Sequence, residues 1–87
     1  MLFHPGRILA TPGALEIAEV GVDLLAYLTR HLVGDWGDLD EQDKAENDFS
    51  LANGFRILSA YSTIHGRLWI ITEADRSVTT FLLPCEY

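Results

Sequence analysis

The fourteen residues from Asp35 to Asp48 (DWGDLDEQDKAEND) set seven carboxylates against one lysine. Such a cluster could bind a hard cation, share protons in acid–base catalysis, or dock onto a basic surface. Cation binding fails on spacing. A calcium loop needs glycine at its sixth position for the sharp turn, and counting from Asp35 or Asp38 places an aspartate there. His31 and His65 lack the HExxH spacing, and Cys85, the lone cysteine, cannot build a structural zinc site. No metal and no cofactor are expected. Ser59, Ser62 and Ser77 stand outside any GxSxG elbow. Glu73 and Asp75 could share a proton if burial raised one pKa, but they flank a turn beside Arg76, and a turn pair is the simpler reading. One catalytic alternative survives, a small ribonuclease-like toxin working from Arg56, His65, Arg67 and Glu73.

Docking is the reading that charge favours. Six Lys and Arg face thirteen Asp and Glu, a net −7, so direct binding to nucleic-acid phosphates is disfavoured. A helix with carboxylates on its exposed side instead complements the basic groove of another protein and speeds encounter with it. The predicted partner-binding set is Asp35, Trp36, Asp38, Asp40, Glu41, Asp43 and Asp48, extended on the sheet by Tyr61 and Trp69. Trp36 either plugs the core with its N–H on a carbonyl or anchors a contact inside an acidic rim. Tyr61 and Trp69 either pack across strands or form an exposed patch, which would also serve a homodimer. The plain alternative for the acidic run is helix capping plus a solvated face.

These residues need elements to hold them. Thr11-Pro12 reads as an N-cap with proline in the first turn, and Gly21 can end that helix. Asp23 caps a second helix, with Leu24, Leu25, Leu28 and Leu32 at helical spacing and Gly34 at its end. Asp38 and Glu41 have capping-box spacing for a third helix, whose apolar stripe is Ala45, Phe49 and Ala52 and whose stop is Gly54. Residues 7–10 form a short extended segment. Residues 55–63, 67–73 and 78–83 read as strands joined by turns at 64–66 and 74–77. That pairing predicts Ala60, Ile70 and Phe81 on one sheet face and Tyr61, Trp69 and Leu82 on the other. The second face then needs the N-terminal segment, a partner or a second copy to cover it.

With 87 residues, 48% of them hydrophobic, the chain suits one folded domain with a helical half (11–53) and a β-meander (55–84). No apolar run is long enough to span a membrane, and the first residues, MLFHPGR, lack the pattern of a secretion leader. The expected fold is α+β: two or three N-terminal helices on a three- to four-stranded antiparallel sheet.

TPGAL at 11–15, RHLVGDWGDL at 30–39, and RILSAY through WIITEADRSVTTFLLP at 56–84 resemble a family of small uncharacterised bacterial proteins. Its members occur on plasmids, integrative elements and phages. The resemblance covers nearly the whole chain, and its DWG and TEADRS segments are specific. It implies a cytoplasmic accessory protein and carries over no catalytic residue; Cys85 departs from the acidic residue the pattern leads one to expect. Taken with the charge, it points to a non-enzymatic module that binds a host protein. Its most concrete form is an inhibitor of a nucleic-acid-handling defence system.

Overall fold

Thr11 closes a strand and opens a helix. In the computed structural model, which describes Met1 to Tyr87, strand β1 (Arg7–Ala10) leads into helix α1 (Pro12–Glu19). The Thr11 hydroxyl accepts from the Ala14 N–H, an amide with no carbonyl partner inside the helix. Asp23 caps α2 (Leu24–Leu32) in the same way through Ala26. Helix α3 (Glu41–Asn53) ends on Gly54, whose φ of 75° is the left-handed conformation glycine adopts without strain. Its N-cap is Asp40, bonded to the Asp43 N–H at 2.8 Å, and not the predicted Asp38.

Strands β2 (Ile57–Thr63), β3 (Gly66–Thr72) and β4 (Val78–Leu82) form an antiparallel meander, and the sheet order is β1-β4-β3-β2. The sheet is mixed, contrary to expectation, because β1 runs parallel to β4. The path from β1 into the meander passes through all three helices, a crossover that returns the chain in the same direction, as no tight turn can. Helical and strand halves therefore do not separate: a strand precedes the helices, and Pro84–Glu86 form a closing 3-10 turn.

The β2–β3 loop has two residues, Ile64 and His65, and Thr63 pairs with Gly66. This is one residue shorter than predicted, and a one-residue slip moves every side chain to the other face. Tyr61 thus joins Leu68, Ile70 and Phe81 beneath Ala14, Ile17, Val22 and Leu28, while Ala60 lies with Trp69 and Leu82 on the opposite face. That opposite face is covered from an unexpected source, the C-terminal residues. Tyr87 packs edge-on to Trp69 at 5.6 Å. Glu86 accepts from the Thr11 hydroxyl at 2.6 Å and the Gly13 N–H at 3.0 Å, which ties the tail to the positive end of α1. No helix is long and apolar enough to cross a membrane.

Candidate functional site on the third helix

Helix α3 lies along the outer edge of β2, and that edge dictates which of its faces turns inward. An edge strand presents unpaired N–H and C=O groups at alternate residues. Here all of them but the Ser62 carbonyl are matched. Asn47, 6% exposed, donates to the Leu58 carbonyl at 2.6 Å and accepts from the Leu58 N–H at 3.1 Å. The backbone of Trp36 and Asp38 pairs with Ala60, and the Asp38 carboxylate accepts from the Ser62 N–H and hydroxyl.

A polar edge calls for a polar helix face, so the predicted apolar stripe is turned outward. At about 100° per residue, Ala45, Phe49 and Ala52 lie on the side opposite Asn47. All three are exposed. The Phe49 ring stacks on Phe55, just past the Gly54 cap, with centroids 5.9 Å apart and planes 11° off parallel. These two rings are 59% and 54% exposed. Glu41 and Asp48 border the stripe on one side, and Gln42 and Glu46 on the other.

The carboxylates do not form one outward row. Asp35 pairs with Arg30 at 2.7 Å and caps the Gly37 N–H, and the guanidinium holds its carboxyl below the usual carboxylate range. Asp38 is lowered chiefly by the Ser62 hydroxyl. Asp40 is the helix cap, and Asp48 accepts from the Trp36 indole N–H at 3.0 Å. Glu41 approaches Lys44 at 3.9 Å, at the limit of an ion pair. Asp43 and Glu46 border a shallow groove of about 280 Å³ that also meets Arg56, Asn47 and Ser50. Nowhere do three or more His, Cys, Asp or Glu converge on a point where a metal ion could sit.

Three aromatic residues of the predicted docking set need correction. Trp36 is 4% exposed and faces His31 in the interior, so it plugs the core; its N–H finds a carboxylate where a carbonyl was expected. Tyr61 is buried beneath the Arg30 guanidinium, 4.6 Å over its ring, and donates to the Asp35 carbonyl at 2.7 Å. Burial pushes its phenol up to about 12. Trp69 lies on the other face under Tyr87. Tyr61 and Trp69 therefore cannot build one homodimer patch.

The proposed catalytic quartet is also divided. Arg56 pairs with Glu73 at 3.6 Å at one end of the β2–β3 hairpin. His65 sits in the loop at the other end, bonded to the Val20 carbonyl, and Arg67 reaches toward the Asp38 carbonyl. The seven residue pairs of the hairpin span about 20 Å between these ends.

One buried titratable group was not anticipated. His31 is fully enclosed between the Ser59 and Thr72 hydroxyls. The bond directions follow from the far end of the chain. The Pro5 carbonyl can only accept, so Thr79 donates to it at 2.7 Å and accepts from Thr72 at 2.7 Å. Thr72 must then accept from His31 Nε2–H, and Ser59 donates to the bare Nδ1. Desolvation lowers this imidazole to about 4, so it stays neutral and holds α2 to the sheet and to the N-terminal segment. Arg76 is a second unpredicted hub. At a φ of 61°, its guanidinium donates to the carbonyls of Ser50, Phe55, Glu73 and Ala74, joining the end of α3 to the β3–β4 turn.

The outward face of α3 was missed because its residues suit either side of a helix. The available signal was its poverty in large apolar side chains: a single phenylalanine with two alanines is too little to pack on a sheet. Comparison with protein-family models, curated proteins and solved structures found no match.

Proposed function

We propose that this chain is a non-enzymatic protein-binding module whose contact surface is the outward face of α3. The observation that carries the reading is the exposed Phe49–Phe55 stack, with Ala45 and Ala52 beside it and carboxylates along both borders. Magnitudes assign the roles. Covering the exposed half of two phenylalanine rings removes roughly 200 Å² from water, a gross gain of about 5 kcal/mol at ~25 cal/mol per Å². Each rim ion pair contributes about 0–1 kcal/mol. The aromatic pair therefore supplies the affinity, while Glu41, Glu46 and Asp48 set the sign of the partner and the encounter rate.

The partner this surface fits is an amphipathic segment bearing Lys or Arg beside apolar side chains. In its specific form, the chain is a cytoplasmic accessory protein of a mobile element that inhibits a host protein handling nucleic acid, since such proteins carry basic surfaces. Asp35, Asp38, Asp40, Asp43 and Asp48 add to the negative field there.

Replacing Phe55, the other ring of the stack, with a photo-crosslinking phenylalanine and identifying the captured chain tests the reading. The crosslink is expected on a basic amphipathic segment, with capture lost in Phe49→Asp and kept in Glu16→Lys on α1. Capture undiminished by Phe49→Asp would overturn it.

A further inference from the structure

One edge of the sheet is sealed and the other is open. On β2 the outward N–H and C=O of Leu58 and Ala60 and the Ser62 N–H all have partners, as described above. On β1 none is provided. The Arg7 N–H donates to the Ser77 carbonyl at 2.9 Å and the Thr11 N–H to the Phe81 carbonyl at 3.0 Å, so residues 7, 9 and 11 face β4. In a parallel pair the alternate residues point both groups away, which leaves the N–H and C=O of Ile8 and Ala10 directed outward. Ile8 and Leu9 are each 43% exposed. A bare apolar edge of this kind is a template for another strand.

We propose that β1 pairs antiparallel with β1 of a second copy of this chain, joining two four-stranded sheets into one of eight strands about a two-fold axis at Leu9. The register follows from the two ends of the strand. Gly6, at a φ of 68°, departs from extended geometry on one side, and Pro12 lacks an N–H on the other. Only the arrangement centred on Leu9 uses both outward residues. It sets Ile8 opposite the Ala10 of the second copy, and Ala10 opposite its Ile8, giving four hydrogen bonds. The two Leu9 side chains then meet in a close pair, roughly 4.5 Å between Cα atoms. Every side chain on the axis is apolar.

Charge placement permits this pairing despite a net −7 on each copy. The first fifteen residues contain no Asp or Glu, so no carboxylate of the N-terminal segment faces its copy. In the strand order, the acidic α3 lies beyond β2, the far edge. Seven strand spacings of ~4.8 Å separate the two β2 strands, roughly 34 Å and several Debye lengths in physiological salt. The sealed β2 edge stops further growth, so pairing closes at two copies and does not propagate. The assembly carries two α3 faces at opposite ends, although the pairing does not depend on what those faces bind.

Sedimentation equilibrium over a millimolar-to-micromolar dilution series, with amide exchange by NMR at both extremes, tests this. For the 9.7 kDa chain the expected result is a doubled mass that falls on dilution. Amide protection at Ile8 and Ala10 should appear only in the concentrated sample, and protection at Leu9 in both. Leu9→Lys opposes two ammonium groups at the axis and leaves the backbone bonds to β4 in place. It should raise the dissociation constant by roughly tenfold or more while the dilute monomer keeps its circular dichroism. A wild-type chain that stays monomeric at every concentration overturns the proposal, as does a dimer in which Ile8 and Ala10 remain unprotected.

Discussion

Asn47→Ala should destabilise the protein more than the loss of any large side chain on α3. The amide group makes both bonds to Leu58 on a partly buried edge, and alanine leaves that N–H and C=O without partners. An unsatisfied buried group costs about 1–3 kcal/mol, so two cost roughly 2–6 kcal/mol. Alanine's better helix propensity returns about 0.5 kcal/mol. The net loss of roughly 2–5 kcal/mol corresponds to a Tm lowered by about 10–25 °C in a domain of this size. Phe49→Ala is the counterpart. A phenylalanine packed in a core costs about 3–5 kcal/mol to truncate, whereas this exposed ring should cost at most about 1 kcal/mol, the worth of its stack on Phe55. Urea unfolding of both variants by circular dichroism gives the comparison. An unchanged midpoint for Asn47→Ala beside a large loss for Phe49→Ala would refute the inverted orientation of α3.

His31 makes stability depend on pH in a defined window. Its folded pKa of about 4 lies below the unfolded value of about 6.5, so the stability its neutral form contributes is present above pH ~6.5 and is lost as pH falls toward 4. The full loss is roughly 3 kcal/mol, read as the change in unfolding free energy between pH 7 and pH 4, and His31→Gln should flatten it. The same imidazole should show a protonated Nε2 and an unprotonated Nδ1 in its ¹⁵N spectrum at neutral pH. Asp35, Asp38 and Glu86, all lowered by their hydrogen bonds, lose their contribution only as pH falls below the ordinary carboxylate range, so the two phases separate. Arg76→Lys exchanges a fork that reaches four carbonyls for a single ammonium, and a loss of roughly 2–3 kcal/mol is expected in thermal unfolding.

The local signals in the sequence held where one residue satisfies one neighbouring group. Thr11, Asp23 and Gly54 mark real helix ends because a cap is decided within four residues. Asp38 misled because its carboxylate had a distant competitor, the Ser62 amide on the β2 edge, and Asp40 took the cap. The strands were visible in their composition, and the faces of β3 and β4 are as expected, but a loop shorter by one residue turned β2 over, which sent Tyr61 into the core with Ile70 and Phe81 and left Ala60 with Trp69. The parallel placement of β1 and the cover supplied by Glu86 and Tyr87 depend on contacts across nearly the whole chain, which no local pattern encodes. The candidate site was legible in part. The acidic run was evident, but four of its carboxylates hold the fold together, and the exposed aromatic pair is Phe49 with Phe55, while Trp36 is buried.

The exposed aromatic pair is most directly read by placing 4-fluorophenylalanine at Phe49, Phe55 and the buried Phe81 and following ¹⁹F signals with a soluble paramagnet. The expected result is strong broadening at Phe49 and Phe55 and little at Phe81, with the first two becoming protected when the captured partner is added. Protection of Phe49 in the free, dilute protein, or unchanged broadening of both surface rings in the complex, would contradict a docking face on α3.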